Sequence, residues 1–161
     1  MPICSLQTFA DALPPGRPVL GLDLGTRTIG VATSDVRLTL ATPIITIKRR
    51  KFTLDVQELF ALADGRAAAG LVLGLPVEMD GSEGPRCQAT RAFARNLLAL
   101  RDLPVLLWDE RLSTAAVNRF LVGEADMTRA RRAEVVDRAA AAYILQGALD
   151  ALDRQRPEQA F

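Results

Sequence analysis

At 161 residues, 49% hydrophobic and 24% charged, the chain has the size and balance of one globular domain, and no apolar run is long enough to cross a bilayer. It contains no histidine, which removes Ser-His-Asp and Cys-His nucleophilic chemistry and imidazole zinc sites; Cys4 and Cys87 stand alone, which argues against a disulfide framework or a thiolate zinc site. A net charge of +1 does not announce a polyanionic partner, although Lys48-Arg49-Arg50-Lys51 and Arg129-Arg131-Arg132 gather positive charge locally, as solvated faces or as phosphate contacts.

Residues 1–17 hold a Pro/Gly-bearing lead-in, Pro14-Pro15-Gly16, without the charged start and long apolar stretch of a signal peptide, so a cytoplasmic location is the expectation. Residues 19–24 read as a buried strand. Residues 28–34 alternate Ile29, Val31 and Thr33 against Gly30, Ala32 and Ser34, and the short connection through residues 25–27 makes the two a hairpin. A third, β-branched strand covers residues 43–47. Helical spacing of Phe52, Val56, Leu59, Phe60 and Ala63 predicts a helix over residues 52–68.

Leu71 to Leu75 is apolar throughout, as in a central parallel strand covered on both faces. Residues 76–86 form a loop dense in Pro, Gly and Asp, and a helix follows over residues 85–100 with Pro85 in its first turn. A short apolar strand at residues 105–108 runs into Asp109-Glu110-Arg111. Two further helices are expected, over residues 113–122 and 128–152, and then a polar tail from Asp153. The order predicts an α/β domain: a five-stranded mixed sheet, its first three strands an antiparallel meander and its later strands parallel, with helices on both faces.

Three acids occupy unexpected places. Asp23 lies in a strand among Leu20, Leu22 and Leu24, where an isolated carboxylate needs donors, a cation or water. Gly25 just after it allows close backbone approach to a ligand, while a strand-end aspartate bonding its own turn serves equally. Glu110 shares a strand face with Leu106 and Trp108 at the carboxyl edge of the sheet, where open α/β sheets bind ligands; the same triplet could simply charge the start of the next helix. Asp137 shares its helix face with Ala130, Ala133, Ala140, Ala141, Ile144 and Ala148, so it points toward the body of the domain, either to an ion-pair partner such as Arg111 or to a site.

One arrangement serves all three. Asp23, Glu110 and Asp137 can converge on divalent ions, their hard oxygens suiting Mg²⁺ or Mn²⁺. Two such ions about 4 Å apart activate water and stabilise a leaving oxygen in phosphodiester cleavage.

LDLGTRTIGVATSD, LVLGLPVEMDGSEGPRCQATRAF, DERLST and VVDRAAAAYILQGALD, in that order, resemble the YqgF (RuvX-like) family of pre-16S rRNA nucleases, also described as Holliday-junction-resolvase-like. The resemblance covers residues 19–152 and implies a ribonuclease-H-like fold for residues 18–152. It implies that Asp23 is the first-strand acid, Glu110 the acid of the DER motif and Asp137 the acid of the last helix, all three catalytic and metal-binding. It further implies a substrate-side loop at residues 76–86, with Asp80, Gly81 and Arg86 on its recurrent positions, while Thr28 stands where the family often has a basic residue. Lys48, Arg49, Arg50, Lys51 and Arg111 are added here as nucleic-acid contacts that the resemblance does not single out. Residues 1–17 fall outside the pattern and receive no role.

The implied activity is metal-dependent hydrolysis at the 5′ end of pre-16S rRNA, with the small ribosomal subunit as a partner and no membrane. Branched DNA is the alternative substrate, and a resolvase would then need two active sites in a symmetric dimer; nothing in the sequence sets the oligomeric state. DLGTRTIGVATSD also resembles the phosphate-binding hairpin of actin-like ATPases, but those close two such domains over ATP and 161 residues supply one. A non-catalytic nucleic-acid module on the same fold is the remaining class.

Overall fold

Strand β1 (Leu20–Leu24) turns at once into β2 (Thr28–Ser34), and the two pair antiparallel with Asp23 opposite Gly30. β3 (Ala41–Lys48) continues the antiparallel meander, with a register shift between Val31 and Ala32. β4 (Leu71–Leu75) and β5 (Val105–Asp109) then add on the other side of β1, both parallel to it, so the sheet runs β3-β2-β1-β4-β5. The computed structural model describes residues 3–112 and 129–155. The helix expected over residues 113–122 lies outside those residues.

Helices α2 (Phe52–Arg66) and α3 (Pro85–Leu100) are the crossovers that return the chain to each parallel strand. Their apolar stripes (Val56, Leu59 and Ala63; Phe93, Ala94 and Leu97) cover the sheet face built from Leu20, Leu22, Ile29, Val31, Ile47, Leu71, Leu73 and Val105. α3 begins as its sequence suggests, with Pro85 in the first turn where its missing N–H costs nothing. α2 ends at Ala67, which takes the left-handed conformation at φ 55° without being glycine.

The opposite face carries Val19, Ala32, Val72 and Leu106, and the long helix α4 (Arg129–Gln155) covers it with Ala141, Ile144, Leu145, Ala148 and Leu149. Glycine allows α4 to sit close. A Cβ on Gly21 would come within 2.6 Å of the Leu145 Cβ, and one on Gly30 would collide with the carbonyl oxygen of Asp137. The result is the mixed sheet with helices on both faces that the order of elements predicts, and the ribonuclease-H-like fold that the resemblance implies.

The first residues are built into this body. Cys4 bridges to Leu106, with its N–H donating to the Val105 carbonyl at 2.8 Å. Helix α1 (Leu6–Ala12), capped by Ser5, buries Phe9 completely beside α4 and the sheet. Arg17 then donates to the carbonyls of Ala67 and Ala68 at 2.9 and 3.1 Å, tying the lead-in to the end of α2. A seven-residue helix with a single buried aromatic has too little periodicity to be read from sequence. Both cysteines are buried, and no helix among the described residues is long and apolar enough to cross a membrane.

Candidate active site

Strand alternation decides where the acids point. Leu20, Leu22 and Leu24 pack toward α2 and α3, so Asp23 projects from the other face, under α4. By the same parity Leu106 and Trp108 of β5 face α4, and Glu110 opens a single 3-10 turn (Glu110–Leu112) directly after the strand. β4 separates the two acids, and Gly74 on it leaves the space between them free. A Cβ there would stand 2.7 Å from the Glu110 Oε2 and 2.5 Å from the Ile144 Cδ1.

Asp137 comes from above. Its backbone is seated on Gly30, the cross-strand partner of Asp23, and its Oδ2 accepts a hydrogen bond from the Thr28 hydroxyl. Thr46 holds the preceding turn of α4 through its hydroxyl, which donates to the Glu134 carbonyl at 2.8 Å. Asp23, Glu110 and Asp137 thus gather at the carboxyl edge of the sheet, and all three are partly buried.

The electrostatics follow from that placement. Asp23 is pushed up from an ordinary 3.8 to about 7, first by burial, then by the charges of Glu110 and Asp137, while Arg86 opposes the rise. Glu110 is also raised, first by burial; Arg86 pulls it back and Asp109 adds to it. Arg86, exposed in the first turn of α3, is therefore the cation that both acids feel. The three carboxylates are hard donors of the kind Mg²⁺ and Mn²⁺ take. Among the described residues, no three acidic or thiol groups already stand grouped as a metal centre.

The other residues singled out from sequence divide by position. Lys48 ends β3 opposite Thr28, which puts Lys48, Arg49, Arg50 and Lys51 at the same sheet edge as the acids, all exposed. Arg49 braces the β1–β2 turn, its side chain donating to the Gly25 carbonyl at 2.7 Å and its backbone N–H to the Arg27 carbonyl at 2.8 Å. Arg50 pairs with Glu58 at 3.3 Å, and its backbone N–H is taken by the buried Asp55 at 2.9 Å.

Arg111 turns back on Asp109, its Nη2 2.6 Å from Oδ2, so the ion pair considered between Asp137 and Arg111 is replaced by local pairing. Asp80 is also used locally: it accepts from the Ser82 N–H and hydroxyl at 2.9 and 2.6 Å, which holds it below the usual carboxylate range. Gly81 takes φ +89° at that turn, a conformation glycine adopts without strain. The side chains of Arg129, Arg131 and Arg132 lie outside the described residues.

Sequence reasoning noted Thr28 only as a departure from the family's often basic residue, and it passed over Gly30 and Gly74. Thr28 is the partner of Asp137, and Gly30 and Gly74 are the clearances that admit the helix backbone and the Glu110 carboxylate. The available signal was a pair of glycines inside otherwise β-branched or apolar strands, a mark of close approach by something else.

A family model described as RuvX, Holliday junction resolvase, matches residues 17–151. A protein of Phenylobacterium zucineum named "Putative pre-16S rRNA nuclease" is 61% identical over 153 residues, which cover 94% of this chain and 98% of that one. A protein of Roseobacter denitrificans bearing the same name is 62% identical, over 94% of this chain and 93% of its own. Among solved structures, the fowlpox virus resolvase in complex with its substrate Holliday junction DNA superposes with a TM-score of 0.52 at 10% identity, covering 84% of this chain and 98% of that one, a likeness of fold alone. The family match takes in the whole sheet, the acids of β1 and the β5 edge, and Asp137 on α4; the chain belongs to the RuvX family.

Proposed function

We propose that this protein is a divalent-metal-dependent nuclease that hydrolyses phosphodiester bonds at the 5′ end of pre-16S rRNA, in the cytoplasm and on precursors of the small ribosomal subunit. The observation that carries the reading is the gathering of Asp23, Glu110 and Asp137 on one face of the sheet, close enough for two of the acids to raise the third. Buried like charges of this kind favour a cation, and the donor set fits Mg²⁺ or Mn²⁺. Bound there, two divalent ions would activate water and stabilise the leaving oxygen.

The chain's own groups have separable parts in this reading. Asp23, between the other two, would hold the divalent ions together with Glu110 and Asp137. Arg86 lies near enough to be felt by two of the acids and would meet a phosphate entering the site. Lys48, Arg49, Arg50 and Lys51 would track the backbone of the nucleic acid along the same edge, and the turn at Asp80 and Gly81 would border it. The names of the relatives support pre-rRNA as the substrate.

Branched DNA is the second reading, favoured by the description of the family model. Purified protein, with and without Mn²⁺ or Mg²⁺, is offered precursor rRNA and a four-way DNA junction. Metal-dependent cleavage of the RNA alone is the expected result, with the Asp23→Asn variant inactive yet folded. Cutting of the junction alone transfers the assignment to DNA, and an Asp23→Asn variant as fast as wild type removes the three-acid site.

A further inference from the structure

The Thr28 hydroxyl donates to the Asp137 carboxylate, and it reaches across from a different element, 109 residues away. The surrounding geometry makes that contact directional. The Thr28 carbonyl accepts the Gly25 N–H at 2.8 Å, so the residue closes the β1–β2 turn with its backbone while its side chain reaches α4. Thr28 is also the first residue of β2, paired with Lys48, so its Cα is held by the sheet. Two residues on, Gly30 seats the Asp137 backbone against the sheet beside Asp23. The acid is therefore located twice, its main chain by Gly30 and its carboxylate by Thr28.

We propose that Thr28 is a positioning residue of the site: its hydroxyl orients the Asp137 carboxylate so that this acid offers one fixed oxygen to a divalent cation shared with Asp23. The inference rests on the metal-dependent reading above and deepens it. A hydroxyl suits the task because it donates without bringing charge. A basic residue at this position would pair with Asp137 as an ion and compete with the cation for the same carboxylate. Partners that orient a ligand in this way typically change metal affinity by about 10–100-fold when removed.

Thr46 supplies an internal control. Its hydroxyl anchors the same helix one turn earlier, but through the Glu134 backbone carbonyl and not through an acid of the site. Mn²⁺ binding is measured by titration calorimetry on wild type, Thr28→Val, Thr28→Ser, Thr46→Val, Asp137→Asn and the Thr28→Val/Asp137→Asn double variant, each checked for folding by circular dichroism. Valine keeps the β-branched shape suited to a strand, and serine keeps the hydroxyl.

Thr28→Val is expected to weaken Mn²⁺ binding by at least about tenfold, Thr28→Ser to stay within about threefold of wild type, and Thr46→Val to lower the melting temperature without changing affinity. In the Asp137→Asn background, Thr28→Val should add nothing, because its effect passes through that carboxylate. Wild-type affinity in Thr28→Val, equal losses in Thr28→Val and Thr46→Val, or a full further loss in the double variant overturns the role of Thr28. A wild-type protein that binds no Mn²⁺ overturns the metal-dependent reading itself, and this proposal with it.

Discussion

Replacing Asp23 by asparagine should make the metal-free protein more stable, and only at the higher end of the pH range. The folded protein holds this carboxyl at about 7 against an ordinary 3.8, through burial and the nearby charges of Glu110 and Asp137. A raised acid binds more protons in the folded than in the unfolded state between those two values. Its contribution therefore falls as pH rises through that window, and the full cost stands above pH 7. A span of about three pH units, each about 1.4 kcal/mol, amounts to about 4 kcal/mol at most. Asparagine keeps the shape and cannot ionise. For a chain of this size, such a gain raises the melting temperature by on the order of 10 °C. Thermal denaturation in excess chelator, followed by circular dichroism from pH 4 to 8.5, makes the test. The two proteins should melt together near pH 4 and diverge progressively up to pH 8. An Asp23→Asn protein that is less stable than wild type at pH 8, or that differs from it by the same amount at every pH, refutes the account of Asp23 as a buried, repelled carboxylate.

Cation binding should release protons at pH 6.5, where Asp23 is still largely protonated, and release fewer at pH 8.5; calorimetry in buffers of different ionisation enthalpy reads this directly. Gly30→Ala, which drives a methyl into the Asp137 carbonyl, should cost about 1–3 kcal/mol or more in urea unfolding. Gly65→Ala on α2, where an added Cβ meets nothing within 4 Å, should instead gain up to about 1 kcal/mol. Phe9→Ala should cost about 3–5 kcal/mol, because this side chain is fully buried; a loss under about 0.5 kcal/mol would mean that α1 is not part of the core.

Local pattern determined a great deal here. The alternation of Leu20, Leu22 and Leu24 around Asp23, and of Leu106 and Trp108 before Glu110, assigned each acid a face, because side chains along a strand repeat every two residues whatever the strand pairs with. The alanine-rich stripe around Asp137 likewise turned that acid inward by helical periodicity alone. The hairpin, the apolar run of β4 and the Pro85 start of α3 were legible for the same reason: each depends on residues within a few positions of one another.

What the chain could not declare locally was which elements lie side by side. β4 is inserted between β1 and β5, so Asp23 and Glu110 are neighbours only across Gly74, a glycine whose purpose is invisible until the Glu110 carboxylate is seen beside it. The partners of the acids were decided in the same way. Arg111 looked available to Asp137 but closes on Asp109 two residues away, a loop of almost no entropic cost. Asp137 instead takes a hydroxyl from Thr28, a choice that exists only once α4 has settled onto β2 through Gly30. Sequence determined which groups face the site; the packing of one helix against glycine decided what they meet there.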